Sequence, residues 1–290
     1  MQLYRNKLVP YLFLIPAGVL LVVFFFIPFF QTVGYSFLDY SKGIYSPSFV
    51  GFENYVAILK SPVFLKSIFN TFYFLLLCTP ALVIFPLFLA ILINQKIRGK
   101  TLYKLLIYVP VVISIVVVAI AFKWLYAQEG LLNYFLSLFN IKSIGWLTDP
   151  RVAMISISIV TIFKGIGYYM MIYLSALMGV PTDLYEACEV DGASELQKHL
   201  TVTIPHIMPV IALVATISSI SALKVFVEIY VMTHGGPLNS TKTMVYYIYE
   251  RAFENLDLGI ASAACVILLV IVMTFSVLNI FVFERGKYQV

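Results

Sequence analysis

Long apolar runs alternate with short polar stretches along this chain, and the runs set the scale of the structure. Apolar segments extend over about Leu8–Phe30, Phe64–Ile93, Leu105–Tyr126, Val152–Leu177, Ile204–Met232 and Leu258–Phe283. Crossing a ~30 Å hydrocarbon core takes about 20 helical residues, and each run is long enough. Backbone polar groups in lipid must be satisfied within each span. The pattern therefore predicts an all-α, polytopic membrane protein with about six transmembrane helices, treated as a single membrane domain over residues 1–290. The first run follows Arg5 and Lys7, is too long for a signal-peptide core and lacks a small-residue cleavage site, so it is expected to stay as an anchor. Pro16, Pro28, Pro80, Pro86 and Pro110 fall within or at the start of these runs and predict kinks.

Charge orients the spans. The short segment Asn94–Lys104 carries Lys96, Arg98, Lys100 and Lys104, which predicts a cytoplasmic loop. With six spans, the N-terminus (Arg5, Lys7) and the C-terminal tail (Arg285, Lys287) are then expected on the same, cytoplasmic side. The bias is moderate, because Lys42, Lys60, Lys142, Arg151, Lys242 and Arg251 would face outward.

One polar interruption breaks the charge preference. Between the fourth and fifth runs, residues 179–205 turn acidic. Pro181 and Asp183 suit a helix start, Ser194 with Gln197 makes a capping box for a second helix, and Gly192 falls at the turn between them. A helix pair lying on the bilayer would favour Lys and Arg on its polar face, whereas this one is acidic. A docking partner on the cytoplasmic side explains it better.

Composition narrows the function classes. Of the 290 residues, 61% are hydrophobic and only 11% charged, against roughly 25% charged in soluble domains. The net charge of +5 is scattered over the ends of the runs and forms no basic stripe, which excludes nucleic acid as a partner and leaves the lipid bilayer. Cys78, Cys188 and Cys265 are far apart and without metal-ligand spacing, so they read as structural thiols. His199, His206 and His234 form neither an i, i+4 ligand pair nor a hydrolase constellation. Arg98-Gly-Lys-Thr101 ends like a phosphate-binding loop, but position 94 is Asn where that motif needs Gly. No catalytic site is expected on this chain.

The acidic interruption also carries a resemblance. Glu186-Ala187-Cys188, three residues, Gly192, nine residues and Val202-Thr203-Ile204-Pro205 resemble the E-A-A…G…I-x-L-P loop of binding-protein-dependent ABC permeases. Gly51-Phe-Glu-Asn-Tyr55, Gly130-Leu-Leu-Asn133, Trp146-Leu-Thr-Asp-Pro150 and Gly235-Gly-Pro237 with Ser240-Thr241 are similar to further segments of that family's carbohydrate branch, which includes sugar and glycerol-3-phosphate permeases. The resemblance implies a type I ABC importer permease fold in the bacterial inner membrane, with cytoplasmic coupling helices at residues 179–205. It implies that Glu186, Ala187, Asp191, Gly192, Ala193 and Pro205 couple to an ATPase, Glu186 as its acidic contact. It further implies two ATPase subunits that hold the ATP and Mg absent from this chain, a second permease subunit, a paralogue in that branch's habit, and an extracellular solute-binding protein. The cargo would be a sugar or oligosaccharide, with a glycerol-3-phosphate-type substrate as the alternative.

Ionisable residues at membrane depth are costly and mark functional candidates. Lys164, Lys224 and Glu228 qualify, and Lys224 and Glu228 are expected at i, i+4 on one helical face, where they can pair. Leu223–Tyr230 resembles the family's L-K-V-F-D-x-I-Y run, with Glu228 where Asp is usual. A translocation-path role and a structural pairing both fit. Tyr168, Tyr169 and Asn70 offer aromatic and hydrogen-bonding surface of the kind sugars favour, and Tyr230 joins Lys164, Tyr168, Lys224, Glu228 and Asn70 as a substrate-path candidate. A secondary transporter would also suit six kinked spans, but no inverted repeat is found, and the acidic loop favours a subunit that relies on a separate ATPase.

Overall fold

The structure is a computed structural model that describes residues 9–40, 43, 46–95 and 98–285. Arg5, Lys7, Lys42, Lys96 and Lys287, used above to orient the chain, lie outside the described residues.

The chain begins with α1 (Val9–Leu21), a π-helical turn (Val22–Phe26) and α2 (Ile27–Tyr35). A two-stranded antiparallel hairpin follows, β1 (Leu38–Asp39) and β2 (Ser48–Phe49), with Leu38 opposite Phe49. Next come α3 (Glu53–Lys60), α4 (Pro62–Asn94), α5 (Lys100–Val112), α6 (Ile115–Leu125), α7 (Leu131–Leu138) and α8 (Ala153–Leu177). The last part holds α9 (Thr182–Val190), α10 (Glu195–Lys198), a π-helical turn (His199–Thr203), α11 (Ile204–Leu223), α12 (Val227–Met232), α13 (Met244–Tyr249), a third π-helical turn (Glu250–Glu254) and α14 (Leu258–Arg285).

Among the described residues, five helical stretches are long and apolar enough to cross a membrane: Tyr11–Tyr35, α4, α8, Glu195–Leu223 and Leu258–Asn279. The bent pair α5 and α6 makes a sixth if it is counted as one span. Two expected helices are broken. The run Leu105–Tyr126 bends by 95° between α5 and α6, where Ile113 and Ser114 adopt extended ψ angles of 139° and 137°. Pro110, which has no N–H and crowds the carbonyl four residues earlier, weakens the turn just before the break. The run Ile204–Met232 stops at Leu223, and Phe226 at φ −141° separates it from α12.

Prolines are handled differently elsewhere. Pro28 and Pro205 each stand at the second position of a helix that follows a π-helical turn. At both places the capping N–H, of Ile27 or Ile204, reaches back five residues, to Val22 or His199. The extra residue in the turn absorbs the carbonyl clash that a proline imposes on an α-ladder, so the helix continues.

Two compact units organise the chain: one joins residues up to Pro62 with Tyr247–Val270, and the other joins Val63–Tyr246 with Ile271–Val290. In the first, Asn54 donates from Nδ2 to the Ser36 and Leu38 carbonyls at 2.9 Å each, and the Tyr55 and Ser36 hydroxyls lie 2.6 Å apart. These bonds hold α3 against the hairpin. Gly259 of α14 packs so closely here that a side-chain carbon would run into the Leu38 carbonyl.

The second unit holds the main core, centred on α8, whose Ile157, Val160, Met170 and Tyr173 are fully enclosed. α5 lies against α8 where Gly167 faces the Ile107 carbonyl, leaving no room for a Cβ. Small residues at such contacts let helices approach in lipid, where apolar burial supplies little drive for helix association. Asn133 anchors the connection after α6. Its Nδ2 donates to the Ala127, Gln128 and Ile144 carbonyls, and its Oδ1 accepts from the Ile144 N–H and the Trp146 indole.

A Gly167→Leu substitution is expected to drive α5 off α8. Overpacking costs roughly 1–3 kcal/mol in ordinary cores, and here the obstacle is backbone that cannot rotate away. The detergent-solubilised protein should melt at a clearly lower temperature than the wild type in a fluorescence-monitored thermal scan. An unchanged midpoint would contradict this packing.

Candidate functional site: a clamped acidic loop and a charged cavity

The acidic loop forms as its sequence signals predict. Pro181 caps the N-terminal end of α9, Asp183 lies in its first turn, and Ser194 and Gln197 make a reciprocal capping box at the start of α10. Gly192 takes φ +78° directly after α9, with the Ala193 N–H bonded to the Cys188 carbonyl at 2.9 Å. No atom stands within 4 Å of an added Cβ there. It is therefore the left-handed backbone, and not crowding, that calls for glycine.

The second helix of the loop differs from expectation. α10 is no separate short helix, because it runs through the π-helical turn into α11 as one continuous helix, Glu195–Leu223. Pro205 therefore lies inside this helix, ten residues after its start. The turn before it supplies the reason.

α9 is fastened to this long helix at several points. The Tyr185 hydroxyl lies 2.8 Å from that of Thr203, whose oxygen is also 3.0 Å from Nδ1 of His199 in the same long helix, and Cys188 Sγ lies 4.0 Å from Thr201 Oγ1. Lys198 donates from Nζ to Glu189 Oε1 and Glu195 Oε1, both at 2.7 Å, with its side chain only 8% exposed. Neither Tyr185 nor Lys198 was singled out from sequence, although the i, i+3 spacing of Glu195 and Lys198 was a visible signal. Glu186, Ala187, Asp191, Gly192 and Pro205 are exposed and Ala193 is half-buried. Leu184, Val190, Leu196 and Leu200 are exposed beside them, so the outer surface of the loop is acidic and apolar together.

A cavity of about 550 Å³ brings four of the remaining candidates together: Lys164 and Tyr168 on α8, Lys224 just after α11, and Glu228 in the first turn of α12. It opens where both broken helices are interrupted, with Val111 and Ile115 flanking one break and Val225, Phe226 and Val227 forming the other. Lys164 donates from Nζ to the Val111 carbonyl at 3.2 Å, satisfying an acceptor that the end of α5 sets free. Thr161 donates to Glu228 Oε1 at 3.1 Å.

Lys224 and Glu228 do not pair as expected. Residues 224–226 separate α11 from α12, so the two do not share a helical face, and no ion pair within 4 Å joins them. Glu228 turns to α8 instead.

Asn70 and Tyr230 lie apart from this cavity. Asn70, 4% exposed, donates from Nδ2 to the Asn239 and Lys242 carbonyls at 2.8 and 2.9 Å. With Lys66, which donates to the Leu238 carbonyl at 2.8 Å, and Thr71, whose oxygen accepts from the Met244 N–H at 2.9 Å, it pins the Gly-Gly-Pro loop to α4. That loop holds a cis Gly236–Pro237 bond, with His234, Leu238 and Asn239 at positive φ. Tyr230 stacks on Phe226 with ring centroids 5.4 Å apart. Among the described residues, no three His, Cys, Asp or Glu side chains are grouped to hold a metal.

Comparison with known proteins agrees with this architecture. The family described as "Binding-protein-dependent transport system inner membrane component" matches residues 54–285. The chain is 33% identical to the probable ABC transporter permease protein YurN of Bacillus subtilis (strain 168), covering 98% of this chain and 99% of that one. It is 34% identical to the lactose transport system permease protein LacF of Rhizobium radiobacter, covering 96% and 93%. A crystal structure of a bacterial alginate ABC transporter, in complex with a periplasmic protein bound to an alginate pentasaccharide, contains a chain that superposes with a TM-score of 0.82 at 26% identity, covering 93% and 92%. A multi-pass helical fold and a match over most of its length place this chain in the family of binding-protein-dependent transport system inner membrane components.

Proposed function

We propose that this chain is one permease subunit of an ATP-driven importer that moves a sugar or oligosaccharide through the cavity around Lys164, Tyr168, Lys224 and Glu228. The observation that carries this reading is the helix Glu195–Leu223. At one end it is clamped to the exposed acidic loop, and at the other it stops at Lys224 in the cavity wall. At 1.5 Å per residue its 29 residues span ~43 Å. A rigid element of that length carries a displacement of the loop to the cavity, which is what alternating access requires.

On this reading α9 docks on a separate ATPase, which holds the nucleotide and magnesium. Glu186 meets a basic residue there, and the exposed leucines and Val190 supply the apolar part of the contact. The loop and both termini face the cytoplasm. A second permease, expected to be a paralogue, completes the path, and an extracellular solute-binding protein delivers the cargo. The lactose permease and the alginate transporter among the similar proteins favour a saccharide.

Reconstitution with the ATPase and binding protein tests these roles. Glu186→Lys should cut uptake by roughly 30-fold or more, since losing one partner of a buried charged contact costs about 2–5 kcal/mol, while the chain still inserts in the membrane. Uptake at the wild-type rate in that variant would refute docking through Glu186. Lys198→Met combined with Tyr185→Phe should release the clamp, so that ATP hydrolysis continues while uptake per ATP falls; a preserved ratio would remove the clamp from the mechanism. Because Lys224 and Glu228 do not touch, the exchange Lys224→Glu with Glu228→Lys should fail to restore the uptake that either change abolishes. Recovery in the double variant would overturn the cavity geometry.

A further inference from the structure

A second cavity, of about 800 Å³, lies farther along the same two helices, beside the last turn of α6 and the end of α12. Its wall carries Trp124, 75% exposed, one of two tryptophans in the chain. The other, Trp146, is held by Asn133 and stacked on Tyr126 with centroids 5.5 Å apart. Tyr126, 4% exposed and bonded through its hydroxyl to the Ser156 carbonyl at 3.1 Å, lines the same cavity. Trp124 therefore stands open on a rigid base.

The cavity also carries polar side chains. Gln128 and Thr148 line the cavity, with Gln128 Nε2 bonded to Ser143 Oγ at 3.0 Å. Lys123 bridges α6 to α12 by donating to the Val231 carbonyl at 3.1 Å. A flat aromatic face in a cavity that also holds amide and hydroxyl groups matches the two-sided chemistry of a pyranose or furanose ring. Such a ring offers C–H bonds to the indole and hydroxyls to the rim. On α6 the Trp124 platform is nine residues beyond Ile115 of the first cavity, or ~14 Å at 1.5 Å per residue.

We infer that Trp124 forms a second saccharide station, a stacking platform on which the sugar rests before it reaches the charged cavity. This rests on the saccharide reading proposed above.

The complete importer in proteoliposomes tests it. Lactose, arabinotriose and an alginate pentasaccharide are offered with the binding protein, and whichever the wild type takes up serves as the probe. If it takes up none, the saccharide reading itself fails. Given uptake, Trp124→Ala and Trp124→Leu should lower the maximal rate about tenfold and reduce sugar moved per ATP. The basal ATPase rate and the KM for loaded binding protein should stay unchanged, and Trp124→Phe should keep at least a third of the rate. Normal uptake in Trp124→Ala overturns the inference. So does a Leu variant as active as the Phe variant, because bulk and not stacking would then matter. A raised KM at an unchanged maximal rate also overturns it, by making Trp124 a contact for the binding protein.

Discussion

A backbone carbonyl released from a helix cannot be left facing hydrocarbon, and this protein interrupts two of its membrane helices beside one cavity. That constraint organises the interior. Lys164 reaches the Val111 carbonyl at the end of α5. Lys224 stands at the end of α11, where the helix dipole is negative, and Glu228 in the first turn of α12, where it is positive. Each charge sits where a helix end offsets part of its cost, so the breaks and the ionisable residues justify one another. Intact helices here would leave Lys164 and Glu228 as charges in an apolar wall. Breaks without them would leave bare backbone.

Three of the segments by which the chain resembles its family are connectors in whose fastening an asparagine takes part. Asn54 gathers the turn after α2, Asn133 the turn after α6, and Asn70 the Gly-Gly-Pro loop. An amide side chain suits this task because it donates twice and accepts at the same point, standing in for regular backbone pairing where the chain reverses. Asn133 and Trp146 belong to separate sequence motifs that share one hydrogen bond. Their spacing is therefore a consequence of one turn.

The spans, the acidic loop and its capping box were legible because each depends on neighbours in sequence: apolar length, a Ser and Gln three apart, a glycine after a helix. The breaks at Ser114 and Phe226 were not, since the apolar run is continuous through the first, the charges beside the second fit an unbroken helix as well, and only the packing around α8 shows where the helices part. Pairing Lys224 with Glu228 failed for that reason, as i, i+4 spacing means proximity only within an unbroken helix. Asn70 was read as a sugar contact because a polar residue in an apolar run suggests function. Its partners are about 170 positions away, beyond any local pattern.

The continuous helix from Glu195 to Leu223 has a consequence for sequence change. Its loop end and its cavity end share one axis, so their relative azimuth depends on the number of residues between them. Each residue inserted or removed after Thr203 would turn the cavity-lining side by about 100° relative to the clamp. Side chains on the outer surface of this stretch can vary freely, but its length cannot. Substitutions should accumulate there while insertions and deletions are confined to the connectors.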